Sequence, residues 1–400
     1  MTAIYVVGTA DTKGDELAYL RAILEPSGTP IKVVDVGIRR PNCAVDITAQ
    51  EVGAAMPNFD SSVFESDDRG AAVSAMSTAF SAFCTMHKED IAGILGIGGG
   101  GGTSIISAGL RALPYGIPKM IVSTLASGDT SAFVGVSDTI MVPAITDLAG
   151  LNRVSRQVLH NAAHGLLGMV HNPAPVTKDT KQAVGLSMFG VTTPCVTHVA
   201  DLIAGTVDPL IFHATGTGGQ TMERLAEEGS LCGLIDVTLT ELCDFRVGGV
   251  LPCLPERLDV VARGQIPWVG APGALDMVNF WAPDTVPAIF ADRKFYHHNP
   301  NVTLMRTTPA ENADFGRWIG EKLNACGGRV TLLIPEKGVS MLDIEGGEFW
   351  WPEANAALFN ALEDTIQITK SRQVTRLPYH INDPEFAAAL AATFQKLTED

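Results

Sequence analysis

Short apolar runs recur along this chain, and each is followed by a polar or glycine-rich loop and then a helix-like stretch. In the first half they lie at residues 4–7, 31–37, 91–95, 119–123 and 139–142. Runs this short that are apolar on both faces suit strands covered on both sides. Helical spacing over residues 15–24, through Leu17, Leu20 and Leu24, and the alanine-rich stretch 71–83 supply covering layers. The expected architecture is therefore α/β and Rossmann-like, in three layers around a mostly parallel sheet. Sheets of this kind bind ligands beyond the carboxyl ends of their strands.

The third run feeds Gly96-Ile97-Gly98-Gly99-Gly100-Gly101-Gly102-Thr103-Ser104. Glycines leave backbone amides uncovered and free to take turns that a Cβ forbids. With a helix expected over residues 104–113, those amides and a helix N-terminus face one point, which is a receptor for an anion such as phosphate. The competing reading is a turn that only lets strand and helix meet closely. The run is not a Walker A motif, since Gly102 stands where the lysine is needed, and it lacks the usual dinucleotide spacing.

Two further loops follow strands of the same half. Gly8-Thr9-Ala10-Asp11-Thr12-Lys13-Gly14 offers hydroxyls at Thr9 and Thr12, the Lys13 ammonium as a phosphate countercharge, and Asp11 as a carboxylate for magnesium. Asp11 or Thr12 also suits a helix cap. Ser123-Thr124-Leu125-Ala126-Ser127-Gly128-Asp129-Thr130 is crowded with hydroxyls. Three such loops in one domain define a ligand rim more sharply than any of them alone.

Proline and polar residues at 172–178 mark a linker, which divides the chain into domains at residues 1–176 and 177–400. After it, strands are expected at 183–188, 210–213, 233–237, 266–269, 302–305 and 329–334, giving a second α/β domain and a cleft between the two. His213 ends one of these strands and precedes Gly216-Thr217-Gly218-Gly219-Gln220-Thr221, amides suited to a carboxylate or phosphate. His213 and Glu241 are candidate acid–base groups, Lys13 a candidate catalytic cation, and Arg246 a candidate substrate contact. His297 and His298 are adjacent in a strand-like stretch and point apart, so at most one serves a site. Asp276, Asn279 and the acidic, aromatic stretch from Asp343 to Trp351 also follow apolar runs.

The formal charge of -16, with no lysine or arginine stripe, argues against nucleic acid held by its backbone. No apolar segment reaches membrane-spanning length, no opening stretch reads as a signal peptide, and the seven cysteines form no paired-ligand spacing. A cytoplasmic protein without a disulfide framework or structural zinc is expected. The 46% apolar share leaves room for subunit contacts, and a homo-oligomer, taken as a dimer, is the expected assembly.

These loops, in this order, resemble the UPF0261 family, also described as Tm-1-like ATP-binding proteins. The matching elements are Gly8 to Lys13, Gly98 to Thr103, Ser123 to Gly128, His213 to Gly219, Gly338-Val339-Ser340 and Phe349-Trp350-Trp351-Pro352. The resemblance implies two α/β domains and ATP as ligand. It places the nucleotide phosphates near Thr9, Thr12, Lys13, Gly98, Gly99, Gly100, Gly101, Gly102, Thr103 and Ser104, with Thr124, Ser127 and Gly128 beside them. A small anionic metabolite is the expected second ligand, held around Gly216, Thr217, Gly218, Gly219, Gln220, Thr221 and Arg246. Phosphoryl or nucleotidyl transfer fits such a site. Two alternatives stand beside it: an enzyme of anionic metabolites regulated by nucleotide, and a non-enzymatic nucleotide-dependent sensor or assembly protein.

Overall fold

The computed structural model describes residues 2–65, 67–175, 181–264 and 266–399, with residue 399 described by its backbone only. The chain divides into two compact units, Met1–Thr177 and Lys178–Asp400. The expected boundary at 176/177 and the end of the linker fall outside the described residues, whereas Asn172 to Pro175 are exposed.

In unit 1 the elements run β1 (Ala3–Gly8), α1 (Gly14–Leu24), β2 (Ile31–Asp35), α2 (Ala49–Ala54), α3 (Arg69–His87), β3 (Ile91–Gly98) and α4 (Gly100–Ala112). They continue with β4 (Lys119–Ser123), α5 (Ser131–Val134), β5 (Ile140–Pro143) and α6 (Arg153–His171). The strands form one sheet of order β2-β1-β3-β4-β5, parallel throughout. Its faces follow from the two-residue strand period. Ala3, Tyr5 and Val7 pack with side chains of α2, α3 and α4, while Ile4 and Val6 pack with those of α1 and α6. The chain leaves β1 toward β2 and returns on the other side for β3. The carboxyl ends of β1 and β3 therefore part at a topological switch point, where sheets of this order open a crevice.

One expectation changes here. The helix after the glycine run starts at Gly100, not near residue 104, with Gly99 at its N-cap. Poor glycine propensity is a weak local term, and it yields to the buried face of Ile105, Ile106 and Leu110 that anchors the helix.

Unit 2 runs β6 (Ala183–Met188), α7 (Thr193–Ile203), β7 (Asp208–His213), α8 (Thr217–Glu227), β8 (Gly233–Thr238), α9 (Thr240–Val247), α10 (Asp259–Gly264) and β9 (Trp268–Gly273). It continues with β10 (Met277–Phe280), β11 (Phe295–Asn299), β12 (Val302–Arg306), α11 (Pro309–Asn324), β13 (Val330–Pro335), α12 (Pro352–Thr365), β14 (Arg372–Leu377) and α13 (Pro384–Glu399). A parallel sheet of order β14-β13-β9-β8-β6-β7 carries cores on both faces. The expected strand at 302–305 does not join it. As β12 it sits in a separate antiparallel sheet, β10-β12-β11. β11 and β14 are not legible as apolar runs because their polar sequences, FYHHN and RQVTRL, are those of strands at sheet edges.

Candidate functional site

The turn after β1 and the start of α4 meet at the switch point of unit 1 and enclose a cavity of about 320 Å³. Thr9, Asp11, Thr12 and Lys13 line it from one side and Gly99, Gly100, Gly101 and Gly102 from the other. Val36, Ile38, Val73 and Ile105 give it an apolar wall, and Arg39 and Arg69 add two cations.

All but the first of the five glycines from Gly98 to Gly102 are not where the chain's own geometry asks for them. None from Gly98 to Gly102 has a positive φ. A Cβ at Gly98 would come 2.5 Å from the Thr103 nitrogen, so the strand-to-helix turn does exclude side chains there. At Gly100 a Cβ meets nothing within 4 Å, and at Gly99, Gly101 and Gly102 the nearest atoms stand at 3.9, 3.4 and 3.8 Å. These four positions are bare toward the cavity rather than toward the protein. Gly100, Gly101 and Gly102 occupy the first helical turn, whose amides have no intrahelical acceptor, and Gly99 supplies no capping side chain. The result is a set of unshielded N–H groups at the positive end of a 13-residue helix.

Opposite them, Thr9 and Thr12 share a hydroxyl hydrogen bond of 2.8 Å. Asp35 pins this wall: its Oδ1 accepts from the amides of Ala10 at 2.9 Å and Gly37 at 2.7 Å. Burial pushes the Asp35 carboxyl up, the two amides oppose that, and the Asp11 charge adds to the rise. The Oδ1 of Asp11 is buried without a hydrogen-bond partner. Among the described residues no carboxylate pairs with Lys13 or Arg69, whereas Arg39 donates to the Phe64 carbonyl at 3.1 Å and lies 3.8 Å from the Asp67 carboxylate.

Other expected contacts lie elsewhere. The Thr103 hydroxyl is fully buried and bonded to the Gly98 carbonyl at 3.3 Å and the Ser123 hydroxyl at 2.7 Å, so it ties β3 and α4 to β4. Ser104 donates back to the Gly100 carbonyl within its helix at 3.1 Å. Thr124 is not in the cavity wall, its hydroxyl standing 3.9 Å from where a Gly99 Cβ would be, and Ser127 and Gly128 are exposed in the next loop, also outside the wall.

In unit 2 the structure separates residues that the sequence grouped. His213 is exposed, meets Phe189 edge-on at 5.3 Å, and lines a cavity of about 540 Å³ together with Thr215. Gly216, Thr217, Gly218, Gly219, Gln220 and Thr221 are not in its wall. Their glycines serve the protein's own packing: a Cβ would stand 2.3 Å from the Pro252 carbonyl oxygen at Gly216, 1.7 Å from that of His213 at Gly218, and 2.0 Å from Glu241 Oε1 at Gly219. Gly216 also has a φ of 80°, and its amide donates to Glu241 at 2.8 Å.

Glu241 is thus a buried internal anchor rather than a group facing a ligand. It shares one buried guanidinium with two other carboxylates: Arg257 reaches Glu241 at 2.6 Å, Glu223 at 2.7 Å and Asp236 at 2.8 Å. Burial pushes the Glu241 carboxyl up, and Arg257 pulls against it. Arg246 is bound bidentately by Asp314, at 2.8 and 3.0 Å, away from His213's cavity.

Arg39 and Arg69 were missed as site residues because they bound a long polar excursion without a motif. Only the packing of α3 against α4 carries Arg69 to the glycines, its guanidinium lying 3.8 Å from where a Gly101 Cβ would be. For Arg69 the one available signal was its place at the opening of a helix, and Arg39 carried none.

Fold and site together define a protein of two doubly wound α/β units in tandem, the first with a glycine helix start that has no side-chain cap at its switch point. Residues 2–175 match the Uncharacterised protein family (UPF0261) N-terminal domain, and residues 181–398 match the C-terminal domain of the same family. The chain belongs to the UPF0261 family. It is 56% identical over 397 residues to a UPF0261 protein of Rhizobium meliloti, covering 99% of each chain. A UPF0261 protein of Clostridium tetani is 44% identical, again with 99% of each chain covered. The ToMV resistance protein Tm-1(GCR237) of Solanum lycopersicum is 40% identical over 419 residues, which span 99% of this chain and 56% of the tomato protein. The tomato susceptible protein matches at the same identity, so the likeness does not track resistance. No described helix is long and apolar enough to cross a membrane.

Proposed function

We propose that unit 1 binds the phosphates of a nucleotide, ATP, at the start of α4. The observation that carries this reading is the bare first turn. Four glycines that neither backbone conformation nor internal packing requires face a cavity also lined by Lys13, Arg39 and Arg69. Each glycine in a helix forgoes about 0.5–1 kcal/mol relative to alanine, so their cost is explained by a ligand that must approach the backbone. Asp11, with a buried oxygen lacking a partner, fits a magnesium ion that takes one protein carboxylate and keeps its other positions for water and phosphate. Magnesium would there offset phosphate charge. Val36, Ile38, Val73 and Ile105 suit the less polar remainder of the ligand.

The protein's own groups suit phosphoryl or nucleotidyl transfer to a small metabolite. The amides of Gly100 to Gly102 and the Lys13 ammonium hold phosphate oxygens in place and neutralise charge that develops on them. The test is calorimetry of Mg-ATP with wild-type protein and Gly100→Asp. The new side chain has open space, so the fold stands while a carboxylate enters the anion site. Binding should weaken at least tenfold, about 1.4 kcal/mol. Equal affinities, or no binding by either protein, sink the reading; product analysis with candidate acceptors then separates transfer from binding alone.

A further inference from the structure

The larger cavity of unit 2 has a chemistry opposite to that of the first. It lies beyond the carboxyl ends of β6 and β7 and is roofed by the antiparallel sheet β10-β12-β11. At about 540 Å³ it falls within the range that holds small organic ligands, about 300–1,000 Å³. Among the described residues its wall contains no aspartate, glutamate, lysine or arginine. Phe189, Phe280, Trp281, Tyr296 and the imidazoles of His213 and His298 contribute flat rings, and the rest is largely aliphatic.

One buried polar side chain of this lining has unused capacity. Asn279 is 1% exposed and its Oδ1 has no hydrogen-bond partner. Its orientation is fixed from behind. The side-chain amide nitrogen donates to Asp244 at 3.2 Å and to Thr240 at 3.3 Å, and its backbone amide donates to Asp244 at 2.7 Å. Turning the side chain over would set its oxygen against the Asp244 carboxylate. Asp244 also accepts from the Leu251 amide at 2.8 Å, so one carboxylate positions two stretches of the wall. An acceptor held this firmly without a donor is an unmet hydrogen bond in a dry surround.

The rim carries two large apolar side chains beside the exposed His213, His298 and Asn299. Trp281 is 49% exposed and Met341 52%, side chains that a ligand entering the cavity would cover. His298 lines this cavity whereas His297 lines a separate, smaller one, as expected of neighbours on a strand.

We propose that unit 2 binds an uncharged, flat-ring compound carrying an N–H donor, its ring among Phe189, Trp281 and Tyr296 and its donor directed to Asn279. Among the described residues of the wall an anion finds no fixed cation and a cation finds no carboxylate. The site goes beyond the nucleotide reading of unit 1 and does not rest on it.

Benzamide is a minimal neutral probe, and benzoate is the same ring with a charge in place of the amide. Ligand-observed NMR titrations use the full chain, with Trp281→Ala and Met341→Ala as exposed rim variants that leave the core intact. Benzamide should bind the wild type at least tenfold more tightly than benzoate. Its affinity should fall at least fivefold in Trp281→Ala and be unchanged in Gly100→Asp. No benzamide binding, equal binding of benzoate, or affinity unchanged in both rim variants overturns the proposal. Failure of Mg-ATP to bind leaves these outcomes as they are, because the two probes report different units.

Discussion

The two glycine-rich turns of this protein look alike on paper and serve opposite ends. Each follows a parallel strand and opens a helix. Around α8 the glycines are filled space: Gly216, Gly218 and Gly219 sit against Pro252, His213 and Glu241 so closely that no side chain fits. Around α4 only Gly98 is of that kind, while Gly99 to Gly102 look onto a cavity. The switch points differ in the same sense. In unit 2 the space between β6 and β8 is closed by the protein's own hydrogen bonds, Ser187 to Asp236 at 2.6 Å and Thr192 to Thr238 at 2.7 Å. In unit 1 it is open and lined with donors. A glycine run therefore marks a ligand site only where its bare faces have nothing of the protein to meet.

The comparison can be broken at several points. Replacing Arg257 by leucine would leave Glu223, Asp236 and Glu241 buried without their cation, a loss of about 3–5 kcal/mol expected for a broken buried network. All five tryptophans lie in unit 2, so their fluorescence in a urea titration reads that unit alone. An unshifted midpoint would mean the turn at α8 does not depend on this anchor. Gly218→Ala should cost about 3 kcal/mol by the same measurement, because the clash is with backbone and cannot be relieved by a rotamer.

Acid should treat unit 2 gently. Burial pushes Asp244 up to about 7, and burial together with the neighbouring Asp343 charge pushes Asp276 up to about 7. In the unfolded chain such groups titrate near 3.9, so the folded state binds more protons between about pH 4 and 7. This contribution to stability is full below about pH 4 and is lost as the pH rises through about 7. The urea midpoint of the tryptophan signal should be higher at pH 5 than at pH 8, and a midpoint that rises with pH would refute the assignment.

On the unit 1 side, Lys13→Ala should weaken Mg-ATP about tenfold by calorimetry, equivalent to about 1.4 kcal/mol, without moving the thermal transition. The smallest effect is the most telling contrast with Gly218. Gly100→Ala, in open space in a helix, should stabilise the unliganded protein by about 0.5 kcal/mol while reducing nucleotide affinity. Loss of stability there would show that the first turn of α4 is bare for the protein's sake.

Much of the fold was legible because buried parallel strands announce themselves as short apolar runs, as at Ile91–Gly98 and Val330–Pro335. The polar strands Phe295–Asn299 and Arg372–Leu377 were not, since pairing at a sheet edge needs little apolar sequence. Within the site, Thr9 to Lys13 and Gly99 to Gly102 could be proposed because each follows a strand end directly. Arg39 and Arg69 could not, because only folding brings them there. Thr103 and Glu241 show the converse. Their side chains are chemically able to hold a ligand, and burial has already spent that capacity on Ser123 and Arg257.

The uncapped start of α4 has a consequence for motion as well as for recognition. A helix whose first turn is glycine and whose N-cap offers no side chain leaves that turn poorly held, and local opening there costs little. An anion seated on the amides of Gly100, Gly101 and Gly102 would supply the missing cap. Occupancy would then be written into the protein's breathing, as slowed amide hydrogen exchange confined to the beginning of one helix.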